Sequence, residues 1–167
     1  MKSIQVVFLL WLSVSMVGCL VVESGEGKSY GSQDWLSGTD DERWSTVADQ
    51  FGGFAHAMHE IQYRYQELYW AGLDGNWEYA LHHLEHIEEA MEAGLERRPA
   101  RAKSATSFVN DNIPALEKVL EDGDSEGFEA AFEVFRISCN SCHAMEDMPF
   151  IHVKTPEIRM TVIGLPN

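Results

Sequence analysis

Five residues near the carboxyl end, Cys139-Asn140-Ser141-Cys142-His143, carry the strongest chemical signal in the chain. Two thiols separated by two residues and followed at once by an imidazole match the spacing for covalent haem attachment. Each thiol can add across one vinyl group of the porphyrin, and the next residue offers its imidazole to the iron. Residues three and four apart share a helix face, so Cys139 and Cys142 can grip one haem edge while His143 turns toward the metal. Two other chemistries use paired cysteines. A dithiol oxidoreductase needs a strand ahead of its motif, whereas an amphipathic helical pattern precedes this one. A structural zinc site wants four ligands, and this segment offers three. The pattern therefore predicts one covalently bound haem c.

From Asp41 onward the apolar residues recur at helical spacing. A first helix is predicted over 41–71, with Phe51, Phe54, Met58, Ile61, Tyr65, Leu68 and Gly72 on its stripe and Gly72 and Gly75 as breakers. A second covers 77–95 and carries Trp77, Ala80, Leu84, Ile87 and Met91. The third, over 103–122, contains Pro114, which removes a backbone donor and predicts a kink or fresh start near Asn112. Gly123 stops it. Asp124 can cap a fourth helix that turns Phe128, Ala131, Phe132, Phe135 and Cys139 to one face. Four helices joined by short loops predict an all-α, antiparallel four-helix bundle of up-down-up-down topology over 41–150. Residues 151–167, with Pro156 and Pro166, read as an irregular tail.

The amino end reads as an export signal of the lipoprotein type over residues 1–18: Lys2, an apolar run from Ile4 to Val17, then Gly18-Cys19. Met16-Val17-Gly18-Cys19 resembles a bacterial lipobox, whose cysteine takes lipid. The chain has three cysteines. With Cys19 lipidated and Cys139 and Cys142 on haem, no thiol is left over. Residues 19–40, rich in Gly and Ser, read as a flexible tether with a reach of roughly 25 Å. Together these predict a lipid-anchored protein on the periplasmic side of a bacterial membrane. The net charge of −15 repels nucleic acid. It suits a redox partner with a basic docking patch, and equally keeps soluble proteins apart.

Over residues 41–150 the chain resembles the class II c-type cytochromes, the four-helix cytochrome c′ and c556 group, whose motif also ends helix four. Cys139, Cys142 and His143 carry the resemblance. It implies that His143 binds one face of the iron and that the first helix meets the other face, with Met in some members and an apolar residue in others. His143 stands about 19 residues above the start of the fourth helix, roughly 28 Å, and Met58 about 14 residues before Gly72, roughly 21 Å. Met58 is therefore the candidate distal ligand, with Met91 the second contender and Phe54 and Phe135 candidates to line the haem. His56 and His59 flank Met58 but point elsewhere. The relatives commonly place a basic residue within a turn after the histidine. Here Ala144, Met145, Glu146 and Asp147 follow, and acidic neighbours should lower the reduction potential.

The resemblance implies an electron carrier with no catalytic residue. Its alternative is a five-coordinate iron that binds nitric oxide or carbon monoxide, or senses haem. Peroxide reduction would want a distal acid–base group, for which His59 is the only nearby option. Homodimers through the first two helices are frequent among the relatives. His82, His83 and His86 could hold Zn²⁺ or Cu²⁺ but read better as a solvated polar face. Tyr63, Tyr65, Tyr69, Trp70 and Trp77 read as aromatic packing, and Glu85, Glu88, Glu89 and Glu92 as a face turned to water.

Overall fold

The computed structural model describes residues 28–165. The expected export signal and Cys19 lie outside the described residues. The chain divides into two compact units, one ending at Thr46 and one beginning at Val47.

In the first unit, Tyr30 and Leu36 exchange backbone hydrogen bonds of 3.0 and 3.2 Å across a tight turn. Arg43 is its buried centre: the guanidinium donates to the Lys28 carbonyl at 2.9 Å and to Gly38 and Asp40, and lies over the Tyr30 ring. The stretch from Lys28 to Thr39, predicted as tether, is thus a closed loop. Thr39 and Glu42 form a reciprocal cap on helix α1 (Asp40–Gln50), the Glu42 carboxylate accepting the Thr39 N–H at 2.8 Å. Those bonds hold the Glu42 carboxyl below its usual pKa.

The predicted first helix is two. Gly52, at φ +66°, and the extended Gly53 end α1 and start α2 (Phe54–Leu73). Gly72 does not break α2. It is buried inside it, and the Phe128 ring lies where a Cβ would stand. Gly75 is the stop: at φ +70° it lets its own N–H reach Gly72 O and the Asn76 N–H reach Ala71 O, closing the last carbonyls. Helix α3 (Trp77–Arg97) follows. Then come α4 (Ala102–Ser107), a π-helical turn over Phe108–Asn112, and α5 (Ile113–Glu121). The wide turn sits immediately before Pro114, whose missing N–H cannot continue a regular α-helix. Asp124 accepts the Gly127 N–H at 2.9 Å and leads into α6 (Phe128–Met145).

Among the described residues the fold is all-α, with four long helical runs (α2, α3, α4 through α5, α6) around one core. Glu67 of α2 accepts the Tyr79 hydroxyl of α3, Arg64 meets His83, and Ala57 and Phe54 meet Gly94. Between α2 and α6, Gly72 and Tyr69 meet Phe128, Tyr69 meets Phe132, and Tyr65 meets Phe132 and Phe135. Phe108 from the wide turn packs on Phe135 at 5.0 Å. Of the aromatic residues predicted to pack, Tyr65 is buried in the core and Tyr69 and Trp77 pack against it, whereas Tyr63 is exposed and meets His83 edge-on. The histidine face is corrected in part: His82 is exposed and His86 half-buried, but His83 is 1 % exposed, enclosed by Arg64, Tyr63 and Tyr79. No described helix is long and apolar enough to cross a membrane.

Candidate haem site

The motif occupies the last two turns of α6. Cys142 is buried, Cys139 and His143 are half-buried, and both thiols are free of disulfide. Burial pushes the Cys139 thiol up to about 12, with neighbouring Cys142 adding to the rise. Burial also raises Cys142, against a hydrogen bond with Ser104. Thiols so placed stay protonated at neutral pH. A thioether carries no charge and suits the same surroundings.

His143 is held by its far nitrogen. Nδ1 lies 2.8 Å from the Ile151 carbonyl, which can only accept, so Nδ1 is a donor and the neutral ring carries its lone pair on Nε2. A metal-binding histidine requires this arrangement of its second nitrogen. The carbonyl belongs to the predicted tail. Its described residues have no regular secondary structure, yet they are tied down from Ile151 to Arg159. The chain reverses at Asp147 (φ +59°), where the Met148 N–H reaches His143 O at 2.8 Å. Val153 then bonds twice to the Asn140 carboxamide, Tyr65 donates its hydroxyl to Lys154 O at 3.2 Å, and Arg159 pairs with Asp74 at 2.8 Å beneath the Trp70 ring.

Met58 lies in the second turn of α2, half-buried against the core. Phe54, one turn earlier, has the Arg101 guanidinium 5.5 Å from its ring centre. Phe135 is fully buried between Tyr65 and Phe108. The two phenylalanines proposed to line the haem therefore sit apart, one at the end of the bundle and one in its centre. Met91 is buried in the core on α3, while His56 and His59 are exposed.

Arg101 is a residue that the reading of the sequence missed. It and the Ser104 hydroxyl both donate to the Glu146 carboxylate, three residues beyond His143. The cation absent from the four residues after the histidine is thus supplied in space by the α3–α4 connection, and Glu146 is not a free anion. Its only sequence signal was the cluster Arg97, Arg98, Arg101 and Lys103 in an acidic chain.

The donor set fits a covalent haem: two neighbouring thiols, an imidazole with its Nε2 lone pair kept, and a thioether on a neighbouring helix. Two open clefts, of about 640 and 370 Å³, lie along the tail, the larger beside Tyr69, Glu133, Arg136 and Lys154. Neither is lined by the motif. No family model, curated protein or solved structure matches the chain.

Proposed function

We propose that this chain is a monohaem c-type cytochrome of the class II kind, built as an antiparallel four-helix bundle, that carries electrons between partner proteins. The observation that carries the reading is the His143 imidazole beside Cys139 and Cys142, with Nδ1–H given to the Ile151 carbonyl and Nε2 left to donate. The bundle arrangement is supported by the order of contacts. As residue numbers rise along α2 they fall along α3 and along α6.

When bound, the haem supplies an iron that exchanges one electron between its ferric and ferrous states. Cys139 and Cys142 would hold it by thioethers, and His143 and Met58 would bind its iron. Support for Met58 comes from its level. Tyr65, two turns further along α2, packs on Phe132 and Phe135, and Phe135 stands one turn before Cys139. Phe54, one turn back, lies against Arg101, which grips Glu146. Met58 falls between those two levels of α2, half-buried against the core. The enclosing side chains keep the donors in one geometry, so the ligand set changes little between redox states. We further propose that Cys19 carries lipid, that the protein works at the periplasmic face of a membrane, and that the charge of −15 favours a partner with a basic patch.

Expression in a host competent in cytochrome maturation tests this. The purified protein should be coloured, with a pyridine haemochrome spectrum of two thioether links, and its reduced low-spin spectrum should ignore carbon monoxide. A colourless protein rejects the cytochrome. A coloured protein whose spectrum converts promptly under carbon monoxide rejects the carrier in favour of gas binding. Replacing Met58 by Ala should abolish the low-spin spectrum; if it persists, another residue is the distal ligand.

A further inference from the structure

The tail raises a question that the haem motif does not answer: why an irregular segment carrying Pro149 and Pro156 is bonded so closely to α6 around Val153. The bonds concentrate on one side chain. Asn140 Nδ2 donates to the Val153 carbonyl at 2.9 Å, and its Oδ1 accepts the Val153 N–H at 2.8 Å. The carboxamide satisfies both backbone groups of one residue, as a neighbouring strand would. Arg136, one turn earlier and paired with Glu133, donates to the same carbonyl at 2.9 Å. The Val153 side chain packs on the core. Two residues upstream of this clamp is Ile151, whose carbonyl holds His143 Nδ1.

We propose that Asn140, lying between the two haem-binding cysteines, is a positioning residue: by clamping Val153 it sets the C-terminal strap so that the Ile151 carbonyl orients and polarises His143. The inference rests on the haem reading above. A carbonyl on Nδ1–H makes the imidazole a stronger electron donor, which stabilises the ferric state and lowers the potential. Of the twenty side chains only the carboxamides offer a donor and an acceptor in this planar pairing, and at Asn140 the shorter one already spans the gap. The position between the cysteines is thus not a spacer.

The test uses the full-length, haem-loaded protein with Asn140→Leu, Val153→Pro and Val153→Ala. The first two remove clamp hydrogen bonds. Val153→Ala trims the packing but leaves both backbone groups in place. The midpoint potential should rise in Asn140→Leu and Val153→Pro and stay at the wild-type value in Val153→Ala. The His143 Nδ1–H resonance should exchange with solvent faster in the same two variants. Amide exchange at Val153 should accelerate by about fivefold to thirtyfold in Asn140→Leu, the loss of one to two bonds of about 1 kcal/mol each. Unchanged potential and Nδ1–H exchange in Asn140→Leu overturn the proposal, as does a shift in Val153→Ala equal to that in the other two. A colourless wild-type protein instead overturns the haem reading. The proposal then falls with it, and Val153 amide exchange reports whether the clamp itself exists.

Discussion

His83 offers a stability test independent of the haem. It is 1 % exposed, its Nδ1 lies 3.5 Å from Arg64 Nη1, and its Nε2 is buried with no partner. Burial, then the Arg64 guanidinium, then His82 and His86 push its pKa down from 6.5 to about 4, against a smaller pull from Glu60. The folded protein therefore prefers the neutral ring. In the unfolded chain the ring titrates near its ordinary value, so the stabilisation is complete above pH 6.5 and is lost as pH falls toward 4. At about 1.4 kcal/mol for each tenfold in proton affinity, the full effect is about 3 kcal/mol, of which about 2 kcal/mol is lost between pH 7 and pH 4.5. Urea unfolding at those two pH values, for the wild type and for His83→Met, measures it. Carboxylate titrations are shared by both proteins and cancel in the difference. The wild type should lose about 2 kcal/mol more than the variant on acidification. Equal losses would refute the reasoning, because they would mean that His83 takes up its proton without cost in the fold.

Gly72→Ala places a methyl inside the Phe128 ring and should cost about 1–3 kcal/mol in thermal or urea unfolding. Met91→Ala should cost about 2–5 kcal/mol by opening a core cavity yet leave the haem spectrum unaltered, which separates it from Met58 in one spectroscopic comparison. Arg101→Met removes the cation from Glu146 and leaves a half-buried carboxylate three residues from His143, the proposed iron ligand. The midpoint potential should fall in a redox titration, while an unchanged potential would show that the pair does not act on the iron.

Much of the helical plan is local and so could be read in advance. Apolar spacing marks the stripes of α2, α3 and α6, Asp124 caps as its side chain dictates, and Pro114 interrupts the third run because a missing N–H acts wherever it stands. The errors are equally physical. Gly52-Gly53 is a legible breaker that the long apolar pattern masked. Gly72 reads as a stop, although glycine also serves where a neighbouring ring needs the room. His83 reads as polar surface because sequence does not say which side of a histidine-rich helix faces inward.

Residue type and spacing alone determine the chemistry on offer, since two thiols and an imidazole in five consecutive residues depend on no distant partner. Tertiary structure decided what surrounds them. Arg101 reaches Glu146 across 45 positions, and Ile151 and Val153 fold back on His143 and Asn140 through a turn at Asp147. Contacts of that kind follow from how whole helices pack and how an irregular segment finds donors and acceptors for its backbone, and no periodic pattern encodes them.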